Sequence, residues 1–61
     1  MNNISVFIIE STNQILFTYP AENTKFMNIN DQILFDSITY TITKKTLDID
    51  HQTLTFFVKK T

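Results

Sequence analysis

Sixty-one residues form one domain at most, and so short a chain buries only about 60% of the surface exposed when unfolded, leaving a thin core. Without cysteine, disulfides and thiolate metal sites are excluded, and one histidine, His51, cannot build an imidazole cluster. Five lysines, no arginine and six acidic residues give a formal charge of -1, which fits neither a basic nucleic-acid binder nor an acidic nucleic-acid mimic.

Ile, Thr, Phe, Val and Tyr dominate, the set suited to a pleated, half-buried surface, and no long window keeps a helical stripe. The first strand is expected at about residues 3–10, apolar on both faces after its start, as in a strand covered on two sides. Its longest apolar run, Val6 to Ile9, is far shorter than the roughly 20 residues of a membrane span. No positively charged segment precedes that run, so no signal peptide is expected and the expected location is the cytoplasm. Ser11 to Asn13 make a hairpin loop into a second strand at 14–19, with Ile15, Phe17 and Tyr19 on its inward face. Pro20 ends that strand because it cannot donate to a ladder. Residues 20–31 form a long connection in which 21–26 suit one helical turn.

Asn30 and Asp31 turn the chain into a third strand, 32–35, and Asp36-Ser37 is a tight turn into a fourth, from residue 38 to about 46. Residues 48–52 form the tip of a last hairpin, and a fifth strand runs over 53–59 with Leu54, Phe56 and Val58 alternating inward. The inward parity of Ile38, Tyr40 and Ile42 is lost by Leu47 and Ile49, so either a bulge is expected at Lys44-Lys45, turning both lysines to solvent, or the strand ends at Lys44. Not one glycine is present, where about four are usual. Left-handed turn positions therefore fall to asparagines at 2, 3, 13, 23, 28 and 30 and aspartates at 31, 36, 48 and 50. The fold class is a single all-β domain over 1–61, a small five-stranded antiparallel barrel or rolled sheet. The pentapeptides Asn13 to Phe17 and Asp31 to Phe35 share QILF, yet their flanks differ, so they are hairpin arms of similar composition rather than a repeat.

The pattern of Asn30, Asp31, Ile33, Phe35, Asp36, Tyr40 and Ile42 resembles that of short uncharacterised phage and mobile-element proteins that carry a small SH3-like barrel. In those proteins a glycine stands where this chain has Asn30. The resemblance covers the second half of the chain. It implies a barrel and a viral or mobile-element origin, with the host cytoplasm as location, and it transfers no active site.

Asp48, Asp50 and His51 are the only cluster of ligand-type side chains, too few for a calcium loop or a catalytic zinc, so neither metal nor cofactor is expected. No triad, paired catalytic carboxylates, phosphate loop or nucleophile elbow can be drawn. The chain is therefore read as a non-enzyme without a small-molecule substrate. Two function classes remain. Phe7, Ile9, Leu16, Leu34 and Phe57 lie opposite the alternating core set and suit contact with a protein partner or a second copy, which could be a host protein inhibited by docking. The alternative is a single-stranded nucleic-acid binder using Phe57, Lys59, Lys60 and Lys25, with Tyr19 nearby.

Overall fold

The computed structural model describes residues 3–61, so the turn candidate Asn2 lies outside the described residues. Five strands form: β1 (Ile4–Ile9), β2 (Gln14–Pro20), β3 (Gln32–Phe35), β4 (Ile38–Asp48) and β5 (Thr53–Lys60). One short helix, α1 (Ala21–Thr24), follows β2 within the stretch expected to make a helical turn. The all-β expectation holds, and the strands make one sheet, ordered β2-β1-β5-β4-β3, curled into a half-barrel.

Three neighbouring pairs are antiparallel, and the central pair, β1 with β5, is parallel. That pair departs from the antiparallel expectation for a physical reason. Tight turns fix which strands form hairpins, but the meeting of β1 and β5 depends on how residues 21–31 carry the chain from one sheet edge to the other. This connection is anchored at both ends. Ala21 N donates to Asn3 O at 3.1 Å, and Asn30 N and Ile42 N donate to Ile42 O and Asp31 O, each at 2.9 Å.

Among the described residues five non-glycine residues take positive φ: Asn13, Asn30, Asp36, Ser37 and Gln52. Three are the Asn and Asp expected there. Asp36 and Ser37 together form the two-residue, doubly left-handed turn whose twist matches the flanking strands. Ser37 and Gln52 occupy positions that cost an L-residue about 1–2 kcal/mol.

The core is built in rows across the concave face. Phe7, Tyr40, Ile42, Leu54, Phe56 and Val58 are buried, with Leu16, Phe17, Met27, Ile33 and Ile38 packed against them. Phe56 stacks on Phe7 at 4.7 Å between ring centres, Phe7 on Phe17 at 4.6 Å, and Phe17 meets Phe35 at 4.6 Å. The rings thus run from β5 through β1 and β2 to β3. The last contact crosses between the two sheet edges, which share no ladder.

Two bulges set which side chains face this core. In β2 the register skips Leu16, because Phe7 pairs with Phe17 and Ile8 with Ile15. Leu16 therefore packs against the core, and Ile15, expected inward, is two-thirds exposed. In β4 the skipped residue is Thr43, one position before the expected bulge at Lys44-Lys45. Only Lys44 turns outward; Lys45 faces the concave side, with its ammonium 5.8 Å from the Phe56 ring centre. The Thr43 hydroxyl lies 2.8 Å from Glu10 Oε2 and 3.1 Å from Phe57 O, two acceptors that share its single proton at the bulge. Val6 and Ile8 are half-buried on the outer face of β1, where two-sided cover was expected and no second layer is present among the described residues.

A domain of 61 residues has about 3–9 kcal/mol of stability. Phe56→Ala removes about 3–5 kcal/mol of packing, a large share of that stability, and is expected to lower the midpoint of urea unfolding sharply. Ser37→Gly relieves a left-handed serine and is expected to raise stability by about 0.5 kcal/mol in urea unfolding, less than the full strain because glycine costs more entropy.

Candidate functional site

Strand length creates a wide opening in the half-barrel. β3 spans four residues and β4 eleven, and their pairing ends at Gln32 with Thr41. Beyond the Thr43 bulge, residues 44–48 pair with β5 on one side and, among the described residues, with no strand on the other. The wall of the half-barrel is missing there. The opening is a groove of about 850 Å³ between this free edge and the end of β2 with α1.

A row of paired residues crosses the sheet at this level: Leu47, Leu54, Ser5 and Tyr19. Leu54 is buried, whereas Leu47 and Tyr19 are exposed by half or more and line the groove with Ile4. Ser5 is fully buried, and its hydroxyl donates to Tyr19 O at 2.7 Å, fixing the end of β2 to β1. Lys45 reaches across and donates from Nζ to Lys25 O at 3.2 Å. Lys25, at the end of α1, also lines the groove. Among the described residues neither lysine has a carboxylate within 4.0 Å, and with Glu22 also on the lining the groove combines apolar side chains with charges of both signs.

The residues singled out from sequence are dispersed. Phe7 is a correction: it is 1% exposed and stacked between two rings, because β1 pairs it with Phe56 on the concave face. Leu16, turned toward the core by its bulge, is likewise corrected from contact to packing. Ile9 is half-buried beside Val58, at the end of the barrel away from the groove. Leu34 is exposed on the short edge strand β3. Phe57 is half-buried on the convex face, in a row with Ile15, Ile8 and Lys44, and the Lys44 ammonium sits 5.6 Å from its ring centre. Lys59 shares the convex face with Phe57, Lys60 alternates to the other, and Lys25 and Tyr19 lie at the groove. The four residues of the nucleic-acid reading therefore do not share one surface.

The acidic hairpin tip is a local turn structure. Asp48 accepts from His51 N at 3.2 Å and lies 2.9 Å from His51 Nδ1, and Gln52 closes the turn by bonding Ile49 O. Among the described residues no three ligand-type side chains converge to hold a metal. No helix among them is long and apolar enough to cross a membrane. No family model matches the chain, and no curated protein or solved structure matches it either.

Sequence reasoning missed the groove because its main cause is a length difference between two strands, not a motif. The usable signal was Leu47: it falls out of phase with Ile38, Tyr40 and Ile42, which marks the bulge that carries the far half of β4 into the opening.

The hydrogen bond from His51 holds the Asp48 carboxyl below the usual aspartate range. Its lowered value means that this contact stabilises the fold above the unfolded-state pKa and is lost as pH falls through the folded one. In an NMR pH titration His51→Ala is expected to raise the Asp48 midpoint toward the usual value, with little change in midpoints elsewhere.

Proposed function

We propose that this protein is a non-enzymatic interaction module that binds a protein surface along the opening between β4 and β2. The observation that carries the reading is the convergence of exposed Tyr19 and Leu47 on one groove that also holds Lys25 and Lys45. Exposed apolar groups gathered around a concavity mark contact surfaces, and the free ladder of residues 44–48 adds backbone donors and acceptors for an incoming strand. Binding would be steric, with the lysines setting orientation. The resemblance of the second half of the chain to phage and mobile-element proteins supports a mobile-element origin and action in the host cytoplasm, and inhibition of a host protein is one form that such binding takes. Single-stranded nucleic-acid binding, the alternative, has one observation in its favour, the convex pairing of Phe57 with Lys44 and Lys59. The net charge of -1 and the lysine already held over the ring weigh against it.

Affinity capture from bacterial lysate, with light scattering on the pure protein, tests the module. The wild type is expected to retain a partner or self-associate, and a Tyr19→Ser/Leu47→Ser variant to lose at least tenfold of that binding while keeping its fold. A monomer that captures nothing overturns the reading. A shift of single-stranded oligonucleotides that fades steeply with salt, and that Phe57→Ala abolishes, would instead favour the alternative.

A further inference from the structure

The free edge of β4 is self-complementary. We propose that a second copy of this chain pairs with it, residues 44–48 of the two molecules running antiparallel about a two-fold axis at Thr46. This rests on the reading of the β4 opening as an interaction site and names its occupant.

The argument comes from which residues share a face. Register with β5 puts Lys44, Thr46 and Asp48 on the convex side, opposite Phe57, Thr55 and Thr53, and puts Lys45 and Leu47 on the concave side, opposite Phe56 and Leu54. Antiparallel pairing centred on Thr46 sets each Lys44 directly across from Asp48 of the other copy, and Thr46 across from its own equivalent. Both opposite-charge and Thr–Thr cross-strand pairs are favourable, and here both fall on one face. On the other face each Leu47, 61% exposed in the single chain, meets Lys45 of the other copy, whose aliphatic stem can cover it while the ammonium stays at the groove mouth. A one-residue slip would turn the second strand's side chains to the wrong face, which breaks both charge pairs. A two-fold arrangement repeats each contact and closes on itself, so association stops at two copies. The result is one continuous ten-stranded sheet without the free ladder at 44–48.

The test is sedimentation equilibrium of the full chain over a wide concentration range at low salt. A concentration-dependent dimer is expected, weakening as salt screens the Lys44–Asp48 pairs. Asp48→Lys or Lys44→Asp alone is expected to weaken it at least tenfold, and the combined Lys44→Asp/Asp48→Lys exchange to restore it. Thr46→Lys sets like charges face to face at an exposed position and is expected to give a folded monomer. Amide exchange should slow with concentration at residues 44–48. A wild type that stays monomeric at millimolar concentration overturns the pairing, as does a dimer indifferent to Thr46→Lys or protected along β2 instead. The capture assay is a separate readout: a monomer that still loses a partner through Tyr19→Ser/Leu47→Ser refutes self-pairing and keeps the module, whereas a monomer that captures nothing refutes both.

Discussion

The contact of Phe17 with Phe35 holds this half-barrel shut. No backbone hydrogen bond joins β2 to β3, so the sheet closes through side chains alone, at the end of a line of rings that begins at Phe56. Offset aromatic pairs of this kind contribute about 0.5–1.5 kcal/mol each beyond their buried area, a large share for so small a domain. The line also fixes curvature. A flatter sheet would separate Phe17 from Phe35 and widen the cleft bounded by Phe17, Met27 and Ile33. Below this line the row of Leu47, Leu54, Ser5 and Tyr19 carries a serine in place of a fourth large side chain, and the groove lies at that level.

Without glycine, tight reversals are made by residues that also bond locally. Asp31 accepts from Asn28 N at 2.8 Å, Asp48 accepts from His51 N, and Thr53 donates to His51 O, so turn residues provide their own polar satisfaction. No buried side-chain polar atom among the described residues lacks a partner. Bulges at Leu16 and Thr43 then do what glycine kinks do in other small barrels: they bend a strand and reset its facing pattern. The second bulge has the wider effect, because it places one lysine on each face of the sheet.

Most of the architecture was legible in sequence. Alternation in 38–42 and 54–58 marked core strands correctly, since those segments meet neighbours on both sides and keep an uninterrupted pleat. The edge strand β2 was harder. Its alternation named Ile15, Phe17 and Tyr19 as inward, and Phe17 and Tyr19 do lie on the concave side, but a bulge cannot be seen in the residues that carry it, and it turned Ile15 outward and Leu16 toward the core. Phe7 was misplaced because a strand apolar on both faces offers no parity to read; only its pairing with Phe56 decides the matter. The candidate site was legible only through single residues such as Lys25 and Tyr19, since an opening left by a short neighbouring strand belongs to the pairing and not to any one segment.

The parallel pairing of β1 with β5 also governs how the chain reaches its fold. Ile4 pairs with Thr53 and Ile9 with Val58, so the centre of the sheet joins the two segments most distant in sequence. Each hairpin can form early by itself, yet the apolar faces of Phe7 and Phe56 stay uncovered until the two halves meet. Such a topology places folding in the slow range for its size, on the order of milliseconds to seconds. During that interval the nascent chain carries two sticky half-sheets, which makes its concentration and the speed of its release decisive for whether it folds or clumps.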